Sequence, residues 1–374
     1  MRAFLNKTRR QWADISGIMR VVATPMTSHS LGSLPSGEKI DEHVLTNSAG
    51  AILRVMTYGG IVTSLTMPDR NGQFADIVLG LTNLDAYLGG HPYFGAIIGR
   101  IAGRVSGAQL RLQGRDYPLQ ANDGTSHLHG GRIGLDKRLW QAQRIPPPDG
   151  GDRLVLTYRS PDGEEGYPGN LAITVTYTLT AANEFIISTE ATTDRTTPLS
   201  LCHHSYFNLA GENSGSVIDH EVQILADGIV PTDTAMTLSG RRIPVAGSAA
   251  DLNHPRRLGD VLPQLFQAHG DLYHLRTISA PPPTAPTLVA RIVEPKSGRL
   301  LQVFTDESCL QFYTASALDG TLIGKSGRCY ERHAGFCMEC QGYPDGAHQI
   351  EFGDILVRPE TPQRRTTRYA FSTV

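Results

Sequence analysis

Cysteine is scarce in this chain, with five in 374 residues. Cys202, Cys309, Cys329, Cys337 and Cys340 are an odd, unevenly spaced set, which excludes a disulfide framework and fits reduced, intracellular thiols. An excess of either charge is lacking too: 34 Lys and Arg stand against 36 Asp and Glu, a formal net charge of −2. Without a basic field or an acidic tail, the chain has no surface for nucleic acid. The longest apolar runs fall far short of the ~18 residues a membrane span needs. These absences predict a soluble, cytoplasmic, globular protein with no nucleic-acid or membrane partner. No glycine-rich phosphate loop, serine nucleophile elbow or dinucleotide fingerprint occurs, since Gly59-Gly60, Gly80 and Gly89-Gly90 lack the required spacing. Helical periodicity is nearly absent, with short helices expected only over 82–88 and 261–268, and no internal repeat recurs at a fixed period.

The chain is rich in glycine and proline, 39 and 23 residues, and in period-two alternation. Leu171, Ile173, Val175, Tyr177 and Leu179 alternate with Ala172 and three threonines, giving one apolar and one polar face. Phe185, Ile187 and Thr189 repeat the pattern after a turn, which predicts a hairpin. Ile61, Thr63, Leu65 and Met67 alternate likewise and stop at Pro68, with Asn71-Gly72 marking the next turn. Shorter runs at 154–158, 222–225, 288–293, 301–305 and 355–357 complete the picture. Many strands without alternating helices predict an all-β fold of stacked antiparallel sheets. Pro146–Pro148 and the 281–286 stretch, short and flanked by strand signals, read as surface loops of one sandwich. Residues 1–35 read as a disordered N-terminal arm and 36–374 as a single domain. Arg9-Arg10 gives the arm a transit-peptide alternative, but no apolar segment follows the arginines.

The candidate chemistry lies in a few motifs. Ser126-His127-Leu128-His129-Gly130-Gly131 ends in a pair of glycines, which lets backbone approach a ligand closely. Cys202-His203-His204-Ser205-Tyr206-Phe207-Asn208 carries adjacent histidines. Two His pairs can in principle hold a metal, but neighbours on a strand point to opposite faces. We therefore expect no metal, with His127 and His203 as hydrogen-bonded core residues. In Phe336-Cys337-Met338-Glu339-Cys340-Gln341 the C-x-x-C spacing has no second half for zinc and no helix start for redox chemistry. Glu339 is the more telling residue, because a carboxylate inside an apolar strand is costly unless it is paired or has a task. Arg104, among small and apolar residues, suits either a sugar hydroxyl pair or an ion pair with Glu339 or another acid.

Taken together, these segments resemble the aldose 1-epimerase family of the galactose mutarotase type, from about residue 37 to 373. The resemblance is carried by Asp76-Ile77-Val78-Leu79-Gly80, Tyr93-Phe94-Gly95-Ala96-Ile97-Ile98-Gly99-Arg100, Leu128-His129-Gly130-Gly131 and Asp136-Lys137-Arg138-Leu139-Trp140. His204-Ser205-Tyr206-Phe207-Asn208-Leu209-Ala210-Gly211, Leu310-Gln311-Phe312-Tyr313-Thr314 and Glu339 with Tyr343-Pro344-Asp345 extend it. It implies a large antiparallel β-sandwich (a mutarotase-like supersandwich) with a sugar cleft, and interconversion of the α and β anomers of an aldose such as galactose or glucose. Matched residue by residue, it makes His204 the general acid and Glu339 the general base, with Arg104, His129, Asp271 and Gln311 binding the sugar. Asp271 matches its segment only at the acid, and Asp251 is the runner-up. The chain departs from the family pattern at Gly103, His203 and Cys340, where Asn, Asn and Thr are usual.

Anomer exchange breaks the C1–O5 bond, which needs a proton donor at the ring oxygen and an acceptor at O1. No cofactor is expected, and the partner is a small aldose bound by a monomer or homodimer. Glu, with a free pKa near ~4.3, starts as a base at neutral pH, while His, near ~6.5, needs a nearby carboxylate to stay partly protonated. Two alternatives remain. A hexose-6-phosphate epimerase would use Arg241-Arg242 or Arg256-Arg257, whose plainer reading is a solvated loop face. A non-catalytic carbohydrate-binding protein would keep the cleft without turnover.

Overall fold

The computed structural model describes residues 28–145, 151–232, 236, 238–265, 270–276, 285–346 and 353–374. Pro146–Pro148, most of the 281–286 stretch and the end of the 261–268 helix lie outside these residues. Strand dominates, and the described helices are single turns, Leu84–Leu88 and Leu258–Val261 among them. Asn83 caps the first by accepting from the Ala86 amide, as a short polar side chain does at a helix start.

Three antiparallel sheets carry the architecture. The first is a five-stranded meander in chain order, Ser28–Ser33, Lys39–Thr46, Ile52–Met56, Val62–Pro68 and Phe74–Asp76. Its first strand pairs with the second from Ser28 onward, so the stretch 28–33, read from sequence as part of a disordered arm, is ordered sheet. The second sheet has nine strands, with Asp152–Ser160, Leu171–Leu179 and Glu184–Thr193 consecutive and Gln363–Thr373 next in line. Leu171–Leu179 pairs with Glu184–Thr193 as the expected hairpin, and its Leu171, Ile173, Val175, Tyr177 and Leu179 are all buried. The third sheet runs in the order Ile243–Pro244, Ala226–Val230, Asp271–Leu275, Cys309–Tyr313, Cys337–Gln341.

The inner faces of all three sheets meet in one apolar cluster, to which the third contributes Tyr273, Leu310, Phe312, Met338 and Cys340. Since side chains alternate along a strand, the opposite face of that sheet presents Gln311 and Glu339, which are register partners. The core thus fixes one face of the third sheet, and by alternation aims a carboxylate and an amide away from it. No helix among the described residues is long and apolar enough to cross a membrane.

Candidate active site

Over that outward face lies a cavity of about 280 Å³ whose lining includes Arg104, His129, His204, Gln311 and Glu339. Five of the six residues expected from the sequence therefore converge, although they come from positions 104 to 339. Asp271 is the exception. It opens its strand beside the lining residue Gly270, but its register partner is Phe312, on the core-facing side, while Leu272 takes the position across from Gln311. Asp251 is also absent from the lining and is tied to Asn253 in its own loop.

His204 is placed by backbone pairing with the Gly95–Ala96 segment, its amide donating to Ala96 O at 3.0 Å and its carbonyl accepting from Gly95 at 2.9 Å. The alternation of neighbours then separates the two histidines as expected. His203 turns into the core, with Nε2 2.7 Å from Ser205 Oγ, and His204 enters the cavity. His127 is likewise fully buried between Gln120 O and Tyr167 Oη, at 2.7 and 2.6 Å.

His129 adopts a left-handed backbone, φ 53°, and is clamped on both sides by Gly103, to whose carbonyl its amide donates at 3.0 Å. The Gly103 amide donates in turn to His129 Nδ1 at 3.1 Å. The following glycines serve the protein and not a ligand. A Cβ on Gly130 would fall 1.7 Å from Gly99 O, and one on Gly131 2.1 Å from Glu165 Oε2. Gly103 itself, φ +82°, has no room for the asparagine usual in the family, because a Cβ there would meet Pro344 Cγ at 2.6 Å.

His204 Nε2 and Glu339 Oε1 face each other at 3.5 Å, and both side chains are buried. Burial disfavours charge on each, pushing the carboxyl up to about 8 and the imidazole down to about 4. This corrects the expectation that a nearby carboxylate keeps the imidazole protonated: loss of solvent outweighs the attraction. At neutral pH the free pair holds one proton, on Glu339.

Arg104 makes an ion pair and lines the cavity at once. Its Nε donates to Asp123 Oδ2 at 2.7 Å, so the acid it pairs with is not Glu339, yet it lines the cavity and its charge favours the Glu339 carboxylate. Sequence reasoning missed Asp123 and gave no role to Tyr93. The Tyr93 ring packs edge-on to His129, centroids 4.6 Å apart, and stacks on His204 at 5.8 Å. A tyrosine between Pro92 and Phe94 in a glycine-rich segment is the only signal it left.

His129, His204 and Glu339 present ligand atoms within 4.8 Å of one another, which raises a metal centre as an alternative. Since His129 Nδ1 accepts from an amide, its neutral ring carries the proton on Nε2. That nitrogen is then a donor, suited to a hydroxyl oxygen and not to a cation. Cys337 and Cys340, three apart on a strand, face opposite sides, and all five cysteines are free. Of the candidate phosphate cations, Arg257 is engaged by Asp219 and Asp260 and Arg242 by His274; Arg241 and Arg256 do not line the cavity either.

A β-sandwich with a buried imidazole–carboxyl pair and convergent hydrogen-bonding groups at one cleft is the class of site suited to a small polyhydroxylated molecule. The aldose 1-epimerase family model matches residues 41–370. Galactose mutarotase of Rattus norvegicus is 40% identical over 347 residues, 93% of this chain and 98% of the relative. Aldose 1-epimerase of Escherichia coli strain K12 is 31% identical, covering 90% and 96%. Among solved structures, the aldose epimerase homologue from C. elegans superposes with a TM-score of 0.81 at 26% identity, covering 93% of this chain and all of that one. The chain belongs to the aldose 1-epimerase family, and so to the isomerases.

Proposed function

We propose that the protein is a mutarotase that interconverts the α and β anomers of a free hexose, galactose or glucose, with His204 and Glu339 as the proton-transfer pair. The observation that carries the reading is the 3.5 Å approach of His204 Nε2 to Glu339 Oε1 inside a cavity also lined by Arg104, His129 and Gln311. The 40% identity to rat galactose mutarotase supports galactose as substrate.

In the ring-opening step Glu339 takes the proton from the O1 hydroxyl and His204 gives one to O5 as the C1–O5 bond breaks. The open-chain aldehyde rotates about C1–C2, and O5 attacks the other face of C1 while both protons return. The pair starts and ends with a single proton, so the reaction is proton-neutral. The free pair holds it on Glu339, and the step needs it on His204. Sugar hydroxyls donating to Glu339, together with the Arg104 charge, favour the carboxylate and draw the proton across to the imidazole. Arg104 and the Nε2–H of His129 donate to hydroxyl oxygens, and the Gln311 amide reads a further one. Five free thiols support a cytoplasmic setting.

Polarimetry of freshly dissolved α-D-galactose tests the reading. Wild type accelerates the decay of optical rotation. His204→Asn and Glu339→Gln each lower the rate by roughly a hundredfold or more, the size of one positioned acid or base, with circular dichroism unchanged. A near-normal rate in either variant removes that residue from the pair. Faster turnover of glucose 6-phosphate than of galactose would move the substrate to the phosphorylated sugars.

A further inference from the structure

The atoms of the pair that face away from each other both meet sulfur. Cys202 Sγ donates to Glu339 Oε2 at 3.6 Å, and Cys337 Sγ lies 3.6 Å from His204 Nδ1. With His204 Nε2 and Glu339 Oε1 in contact between them, the four side chains form a row in the order Cys337, His204, Glu339, Cys202. Both thiols are buried and free. They arrive from different strands, Cys202 from Cys202–His203 and Cys337 from the strand of Glu339 itself.

We propose that Cys202 and Cys337 are positioning residues of the epimerase reaction: Cys337 holds the His204 ring with Nε2 toward the sugar, and Cys202 holds the Glu339 carboxyl with Oε1 toward it. The inference rests on the proposed roles of His204 and Glu339.

A thiol suits both places because it donates and accepts weakly. While the imidazole is neutral, its ring proton stays on Nδ1 and donates to the Cys337 sulfur, which leaves Nε2 free to take the proton from Glu339 and pass it to the ring oxygen. When the imidazole is charged, its Nδ1–H donates to the same sulfur. The contact therefore survives both halves of the proton exchange and favours neither. At Glu339 the thiol occupies Oε2, so the proton from the sugar goes to Oε1, and a weak donor leaves the carboxylate basic where a hydroxyl would tame it. Burial and the neighbouring carboxylate push both thiols well above their ordinary range, so neither competes as an acid.

The other ionisable neighbours of Glu339 are His204, His129 and Arg104 across the cavity, Cys337 and Cys340 on its own strand, and the buried phenols Tyr206, Tyr313 and Tyr369. All are unchanged in a Cys202 variant, so a movement of the pH profile reports the Cys202 contact.

The test uses the full chain with galactose, kcat and KM being followed by polarimetry across pH. Cys202→Ala removes a donor from the carboxylate and shifts the alkaline limb up by roughly half a pH unit, the scale of one hydrogen bond. Cys202→Ser, a stronger donor, shifts it down. Cys337→Ala lowers kcat roughly tenfold with KM within about twofold, Cys337→Ser recovers most of the loss, and ¹⁵N NMR of the neutral wild-type ring reports the Nδ1–H tautomer. An alkaline limb that stays put in both Cys202 variants, or a neutral ring protonated on Nε2, overturns the proposal. Should Cys202→Ala fail to fold, the downward shift in Cys202→Ser decides alone. Full activity in Glu339→Gln would sink the acid–base reading itself, whereas an inactive Glu339→Gln beside cysteine variants indistinguishable from wild type sinks only the role of the thiols.

Discussion

His204 and Glu339 share a single proton between two groups that burial makes reluctant to carry charge, and in their proposed roles this sets the pH range of the reaction. Below about 4 the imidazole gains a proton while the carboxyl keeps its own, so no base remains; above about 8 the carboxyl loses its proton while the imidazole is neutral, so no acid remains. We expect kcat/KM to follow a bell with limbs near these values, the limbs belonging to the coupled pair. A profile flat from pH 4 to 9 would show that neither group gates the step. Arg104 bears on the upper limb, because its charge favours the carboxylate. Arg104→Ala therefore moves that limb to higher pH and raises KM roughly tenfold or more, as loss of a charged hydrogen-bond donor does. A lower melting temperature with unchanged kinetics would instead reduce Arg104 to the partner of Asp123.

The elements that present these residues were legible in the sequence to different degrees. Alternation exposed Leu171–Leu179 and its hairpin partner, because one face of each is apolar and the other rich in threonine. It concealed Gln363–Thr373, a central strand, because Arg364, Arg365 and Arg368 interrupt the pattern. Two of those arginines pair with acids of the neighbouring strand, Arg364 with Glu190 and Arg368 with Glu184, and Arg365 with Glu307. Cross-strand charge of this kind stabilises a sheet but is invisible until the register is known. At the site, Glu339 was legible because it is an acid inside an apolar strand and His204 because its motif resembles the family's, whereas Asp123 and the roles of Cys202 and Cys337 depend on contacts between segments up to 137 residues apart. Arg100 is a similar case. It is buried at 2% exposure and donates to Ser160 Oγ, Thr197 Oγ1 and the carbonyls of Ser160, Pro161, Pro168 and Gly169. It thereby pins the segment leading to Gly103 and Arg104. Lysine has neither the planar fork nor the donors to span them. Arg100→Lys should cost on the order of 2–4 kcal/mol in urea unfolding, because buried carbonyls lose their partners. A loss under about 0.5 kcal/mol would mean that water replaces the guanidinium.

Across the whole molecule, three sheets close on one core, and of the carboxyls that burial holds above their ordinary range Glu307, at about 7, and Glu339, at about 8, are moved furthest. Both favour the protonated form in the fold, from an unfolded value of 4.5. Their contribution to stability is therefore complete below about 4.5 and is lost as pH rises through the two folded values. Glu307 has Arg365 at 3.5 Å to offset its charge. Glu339 has an imidazole that burial keeps neutral, so above pH 8 it stands as a carboxylate with only a thiol and the Arg104 field to stabilise it. Glu339→Gln keeps the shape and removes the titration. It should match wild type within about 1 kcal/mol at pH 5 and exceed it by on the order of 4–5 kcal/mol at pH 9, at roughly 1.4 kcal/mol for each pKa unit. It would at the same time abolish turnover, which is the trade expected where a strained group serves the reaction and not the fold. Urea titrations at the two pH values measure the difference. If Glu339→Gln is the less stable protein at pH 9, the fold supports the carboxylate, and the alkaline limb of the activity profile belongs to another group.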